Sequence, residues 1–335
     1  MKYRMLGKTN AKISEIGLGT WQLGNADWGV LDEQNALNIL RRAYEKGITF
    51  FDTADVYGLG TSERLIGKFL KEIGKDKVKI ATKLCRVEWA TAGRKWPSKY
   101  TLAMTRRACE RSCKNLGVDC LFLQQWHCPP TEWLRSGEIF EHMETLHREG
   151  LVQYWGASVE SVEEALLCIT HPNCASLQVI FNIFRQKIVT DLLPVAKRCN
   201  VGIIARVPLA SGLLTGKFKK GHKFDPKDHR NYNKNGEFFN VGETFAGIPF
   251  EKGVAFSEEI KRILKPTEKV SMAQLALRWI LDHKEISTVI PGATRPEQID
   301  SNAAASGIIP LSPKTHAALE EMYNEKIKST IRGPY

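Results

Sequence analysis

The chain has 335 residues, 43% of them hydrophobic and 25% charged, with a formal net charge of +11. That is ordinary for a globular protein, and the length allows a large core without disulfide staples. No apolar run is long enough to span a bilayer, and the opening residues Met1 to Gly7 carry no apolar segment before a small-residue cleavage site, so a cytoplasmic protein without membrane association is expected.

In chain order, residues 3–6 and 11–14 read as a hairpin closed by Gly7, Lys8, Thr9 and Asn10, placed to plug the bottom of a barrel. Residues 15–20 form the first strand candidate. A helical pattern follows over 33–45, with Ala36, Ile39, Leu40 and Ala43 on one face and Gly47 as its stop. Strand candidates at 48–51, 78–82, 121–126, 152–157, 175–181, 201–207 and 286–290 then alternate with helices near 62–73, 101–116, 139–149, 162–170, 189–199, 271–283 and 297–304. Residues 213–250 are a long insertion after the seventh of these strands, and residues 313–328 predict an extra C-terminal helix. Eight strands in alternation with helices predict a closed (β/α)8 TIM barrel occupying residues 1–335 as one domain. The competing open, doubly wound sheet requires a third glycine after Gly17-Leu18-Gly19, where Thr20, Trp21 and Gln22 stand instead.

The eight cysteines (Cys85, Cys109, Cys113, Cys120, Cys128, Cys168, Cys174 and Cys199) form no C-x-x-C pair, which points to reduced thiols and to neither a zinc ribbon nor a redox motif. Cys128 is read as a packing residue. The positive charge leaves a nucleic acid and a polyanionic small molecule both open. No basic helix or aromatic-basic module is present, however, and the densest run, Lys217 to Lys234, contains Asp225 and Asp228 and reads as a solvated loop. No nucleic-acid partner is expected.

In a barrel, chemistry sits where strands end. Residues 48–51 run into Asp52, 78–82 into Lys83, and 121–126 into His127, while Tyr57 follows Asp52 in a loop with Gly58 and Gly60. Taken singly, these residues also suit an N-cap, a solvated strand end, a packed histidine and a turn aromatic. Together they suit carbonyl chemistry. A phenol is a poor acid near neutral pH, but an adjacent ammonium eases loss of its proton, a carboxylate keeps that ammonium charged, and a histidine positions the carbonyl oxygen. Trp21, Trp28, Trp89 and Trp126 are candidate aromatic walls, with packing an equal alternative for Trp28 and Trp126. Tyr232, Phe238 and Phe239 are candidates for closing over a substrate.

Residues 51–63, Phe51-Asp52-Thr53-Ala54-Asp55-Val56-Tyr57-Gly58 and onward, resemble the aldo-keto reductase family. The likeness continues through residues 3–9, 17–21, 81–83, 127–130, 156–158, 208–217 and 290–293, in order and over almost the whole chain. The resemblance implies a (β/α)8 barrel that binds NADPH/NADP+ without a Rossmann domain and reduces a small-molecule carbonyl, with Tyr57, Asp52, Lys83 and His127 as the catalytic set. It implies a carboxamide site at Ser158 and Gln178, and cofactor contacts at Gly19, Thr20, Trp21 and Arg206. A pyrophosphate loop would comprise Pro208, Leu209, Ser211, Gly212, Leu213, Thr215, Gly216 and Lys217. The adenosine end would lie at Pro291, Gly292, Ala293, Thr294, Arg295, Gln298 and Asn302. Arg295, near a helix start, suits a ribose 2′-phosphate. The substrate pocket is expected around Trp21, Tyr57, Trp89 and His127, with no metal, and with either a monomer or a homo-oligomer.

Three positions depart from the family pattern. Val159 stands where relatives place an asparagine that holds the carboxamide. Arg206 stands where many have an aromatic residue stacked on the nicotinamide, and Phe122 where many have an aspartate before the catalytic histidine. Two rival functions are an NADPH-binding regulatory subunit with little turnover and a metal-dependent barrel lyase. The latter needs clustered histidines and carboxylates at strand ends, where only one histidine stands.

Overall fold

The structure is a computed structural model that describes residues 1–24 and 32–335. Trp28 lies outside the described residues. Two short strands, β1 (Tyr3–Met5) and β2 (Lys12–Ser14), pair antiparallel as the expected hairpin. The barrel strands are β3 (Leu18–Gly19), β4 (Phe50–Asp52), β5 (Lys79–Leu84), β6 (Leu121–His127), β7 (Val152–Ser158), β8 (Cys174–Ile180), β9 (Gly202–Arg206) and β10 (Ile286–Val289), all parallel and in sequential order. Gly17 donates to Val289 O (2.8 Å), Val289 to Glu15 O (3.0 Å) and Gly19 to Pro291 O (3.1 Å), which joins the first barrel strand to the last. The expected TIM barrel is therefore the observed fold.

The helices are α1 (Trp21–Gly24), α2 (Glu33–Glu45), α3 (Thr61–Ile73), α4 (Arg86–Thr91), α5 (Leu102–Leu116), α6 (Thr131–Ser136), α7 (Glu138–Arg148), α8 (Val162–Ile169), α9 (Ile188–Asp191), α10 (Leu193–Arg198), α11 (His229–Tyr232), α12 (Phe250–Leu264), α13 (Met272–Leu281), α14 (Pro296–Ala304) and α15 (Pro313–Met322). None of the described helices is long and apolar enough to cross a membrane. The single helix expected over 189–199 is two pieces. Pro194, in the first turn of α10, has no N–H to continue the ladder from α9. Helix α12 was not expected, although Val254, Ser257, Ile260 and Leu264 are all buried and recur at helical spacing. Beyond Met322 the C-terminal helix widens into a π-type turn, Tyr323–Ile327.

Two apolar layers follow from strand alternation. Residues facing outward, such as Phe51, Trp126, Leu177 and Ile203, pack under the helices in the large core. Those facing inward, namely Phe50, Ala81, Leu123, Ile204 and Ile290, meet Leu6 and Ile13 from the hairpin, which seals the bottom of the barrel. The next inward position on five strands is polar: Asp52, Lys83, Gln125, Gln178 and Arg206. The two-residue period of a strand therefore places a polar layer directly above an apolar one at the carboxyl end. We predict that Leu6→Ala destabilises the fold by about 2–5 kcal/mol, because Leu6 is fully buried in a site that cannot collapse. Denaturant unfolding measures this, and a loss under about 1 kcal/mol contradicts a sealed barrel bottom.

Candidate active site

The polar layer is organised around one buried ion pair. Lys83 Nζ donates to Asp52 Oδ2 (2.7 Å), to Thr53 O (2.9 Å) and to the Tyr57 hydroxyl (3.2 Å). The two charged side chains are 1% and 3% exposed. Gln178 Nε2 donates to the other Asp52 oxygen at 2.7 Å, with Gln125 Nε2 at 3.5 Å from it. Both oxygens of the carboxylate thus accept a hydrogen bond, as a buried charge requires. Burial alone lowers the tendency of Lys83 to hold its proton, but Asp52 and Tyr57 outweigh it and the ammonium is held above its ordinary value.

Tyr57 and His127 are set against this pair. Burial pushes the Tyr57 hydroxyl above its ordinary value, with Lys83 pulling it down, Asp52 pushing it up and Arg206 pulling it down. The expected easing by Lys83 is present, but burial outweighs it. The His127 ring meets Tyr57 edge-on, with centroids 5.9 Å apart. Burial, then Arg86, Lys83 and Arg206, hold the His127 imidazole well below its ordinary value. The four strand-end and loop residues are thus brought together, as a neutral histidine beside a phenol and a charged lysine–aspartate pair.

A cavity of about 460 Å³ opens from this cluster. Asp52, Tyr57, Gln178 and Arg206 line one end, and Thr294, Arg295 and Gln298 line the far end. Between them lie Gly19, Thr20, Trp21, Pro208, Leu209, Ser211, Gly212, Thr215, Lys217, Pro291, Gly292 and Ala293. The loop after β9 is strained. Val207, Ala210, Ser211, Gly212 and Gly216 all have positive φ, of 53°, 48°, 53°, 98° and 67°. A β-branched residue in that region is costly and persists only where the surroundings enforce it. At Gly292 a Cβ would lie 2.2 Å from Gln22 Oε1, so a larger residue at this edge of the cleft would displace the Gln22 amide. Arg295 is exposed at the start of α14, with Pro296 in its first turn. Thr294 N donates to Gln298 Oε1 at 2.7 Å. A long cleft with exposed Lys217 and Arg295 and a helix start at its far end suits a ligand with several anionic groups. Two buried polar atoms along its wall, Gln22 Oε1 and Arg206 Nε, have no partner among the described residues and so suit a ligand.

Some expected residues stand behind the wall. Ser158 is buried, with its hydroxyl 3.7 Å from Cys128 Sγ. Leu213 and Gly216 shape the strained loop, and Asn302 Nδ2 reaches Gly292 O at 3.5 Å. Trp89 does not line the cavity. Its ring packs on Trp96 (centroids 5.9 Å) and on the Arg86 guanidinium (5.1 Å). Trp126 faces outward and packs edge-on against Tyr100. Trp21 stacks on Tyr57 (centroids 6.2 Å) and also touches His229 and Phe239 of the long insertion. Arg94, from the segment after α4, lies over the Phe238 ring at 4.1 Å, so two loops meet across the mouth.

Sequence reading missed Gln22, Gln125, Val207, Phe218, His229, Arg230 and Glu243. Gln125 was legible as a polar residue two places after the inward Leu123. Glu243 and His229 lie in the insertion, where no period applies.

Residues 15–324 match the model of the Aldo/keto reductase family. The chain is 30% identical over 317 residues to "Aldo-keto reductase YhdN" of Bacillus subtilis (strain 168), covering 92% of this chain and 89% of that one. It is 30% identical over 351 residues to "Probable voltage-gated potassium channel subunit beta" of Oryza sativa subsp. japonica, covering 98% and 99%. Among solved structures it resembles an aldo-keto reductase from Klebsiella pneumoniae in complex with NADPH, with a TM-score of 0.70, 25% identity and 99% of each chain covered.

The electrostatics predict that at pH 6.5, the ordinary midpoint of an imidazole, His127 is neutral. Its ring resonances by NMR should be those of the uncharged form there, and a half-protonated ring would contradict the burial argument.

Proposed function

The chain belongs to the aldo/keto reductase family, and from that premise we propose that it is an NADPH-dependent oxidoreductase that reduces an aldehyde or ketone to an alcohol, with Tyr57 as the proton donor. The observation that carries this reading is the contact of Lys83 Nζ with both Asp52 and the Tyr57 hydroxyl at the floor of the cleft. When bound, NADPH supplies the hydride. Tyr57 gives its proton to the substrate oxygen. The phenolate left behind stays beside the Lys83 ammonium, which Asp52 keeps charged and fixed. Neutral His127 orients the carbonyl oxygen as a hydrogen-bond partner and does not compete for the proton. Trp21, with Phe239 and His229 behind it, closes the apolar side of the substrate space.

The cleft fits the cofactor in its anionic groups. The loop from Pro208 to Lys217 offers backbone amides and a lysine for the pyrophosphate. Arg295, exposed at the start of α14 among the described residues, suits the 2′-phosphate, which favours NADPH over NADH. Ser158 and Gln178 would hold the carboxamide. Likeness to the rice potassium-channel protein supports a second reading, a cofactor-binding regulatory subunit. Asp52 and Tyr57 line the cavity, and Lys83 and His127, which do not line it, contact Tyr57 from behind; the presence of all four favours turnover.

We predict that Tyr57→Phe lowers reduction of an activated aromatic aldehyde by at least about 100-fold, while NADPH binding by fluorescence stays near that of the unaltered protein. Near-normal turnover in this variant removes Tyr57 from the mechanism. Tight NADPH binding by the unaltered chain, without turnover across a carbonyl panel, favours the regulatory reading.

A further inference from the structure

Arg206 and Glu243 form an ion pair inside the cleft that the chemistry above does not use. Strand alternation turns Arg206 inward, two residues after Ile204, and leaves it 6% exposed. One terminal nitrogen binds the Glu243 carboxylate; the other donates to Val159 O at 2.9 Å and lies 3.8 Å from Cys128 Sγ. Its Nε is buried and has no partner among the described residues. Glu243 is fixed by its own turn, Val241–Glu243, and its carbonyl accepts from Ser211 Oγ at 3.1 Å. Ser211 Oγ in turn accepts from Phe245 N at 3.1 Å. The backbone of Glu243 is therefore anchored to the strained loop after β9, which places its carboxylate against Arg206.

Both residues line the same end of the cavity as Tyr57 and Gln178. A proton from Tyr57 goes to the carbonyl oxygen, so the hydride has to reach the carbon beside it, and its source has to lie at this end. Reduced nicotinamide is a neutral ring. Loss of a hydride, one proton with two electrons, leaves the ring with one positive charge. The phosphates are the same in both forms, so the charge near the ring is what distinguishes them. A bare guanidinium here opposes the oxidised ring; a guanidinium cancelled by a carboxylate does not.

We propose that the Arg206–Glu243 pair sets the relative affinity for oxidised and reduced cofactor, with Glu243 cancelling the charge that Arg206 otherwise sets against the oxidised ring. Arg206 is the specificity-determining residue and Glu243 the residue that moderates it. The proposal rests on the NADPH reading above. It also gives a role to one departure from the family pattern, the cation at position 206, whose second terminal nitrogen is held by the main-chain carbonyl of Val159.

The test is equilibrium binding of NADPH and of NADP+, by fluorescence and by calorimetry, to the unaltered chain, Glu243→Gln, Arg206→Gln and the double variant. Glu243→Gln keeps the shape and removes the negative charge. The ratio of the NADP+ to the NADPH dissociation constant should rise by about tenfold, which for a two-electron couple is about 30 mV in the potential of the bound cofactor. Arg206→Gln leaves the carboxylate alone and should move the ratio the opposite way, and the double variant should return it close to the starting value. A merely structural pair would move both affinities together. An unchanged ratio in Glu243→Gln, or the same sign in both single variants, overturns the proposal. If the unaltered chain binds neither form, the cofactor reading fails and the proposal fails with it; tight binding with an unchanged ratio overturns the proposal alone.

Discussion

The contact between Asp52 and Lys83 is the constraint on which the barrel mouth depends. Two opposite charges lie in the interior with almost no solvent, where each alone would be strongly disfavoured. They persist because their remaining hydrogen-bonding capacity is met by Thr53 O, the Tyr57 hydroxyl and the Gln178 amide. These partners come from β8 and from the segment that follows β4. The barrel has to close in register for the pair to be satisfied, and the satisfied pair fixes where Tyr57 sits. Breaking it leaves a buried charge without a counterion, so fold and chemistry are coupled at this point.

Around that fixed floor the cleft is built from less regular parts. The loop after β9 has a run of positive-φ residues, and the insertion that follows sends Glu243 back to Arg206 and lays His229 and Phe239 against Trp21. The strain in Val207, Ala210 and Ser211 is held by these returns: Ser211 bonds Glu243 O, and Ser257 of α12 bonds Leu213 O. The β-floor carries Asp52, Lys83 and Gln178, and a loop braced by its own contacts shapes the walls of the cleft. This division matches how barrels with one scaffold vary their ligands.

What was legible in the amino-acid sequence follows from periodicity. The eight strands, the hairpin plug and the polar strand ends Asp52, Lys83 and His127 all show as breaks in apolar runs, because a strand repeats every two residues. Gln178 and Arg206 obey the same rule, but they entered through family resemblance, because their strands offered no comparable break at the end. The helix over 250–264 was missed although its buried face is periodic, because it follows directly on the aperiodic insertion over 213–250. The split at Pro194 was written in the proline itself. Glu243 and His229 could not be read, because their positions depend on how an aperiodic loop packs back across the mouth. Trp89 and Trp126 show the opposite problem: residue type alone does not say which side of a strand or helix a ring will take.

We propose that the buried Asp52–Lys83 pair is what makes Tyr57 a proton donor. The most direct measurement compares Lys83→Met with the unaltered chain, following consumption of NADPH with an activated aromatic aldehyde beside equilibrium binding of NADPH. The account predicts a loss of turnover of at least about 100-fold with NADPH still bound. Turnover within about threefold of the unaltered chain, a difference of under about 1 kcal/mol in barrier, would contradict it.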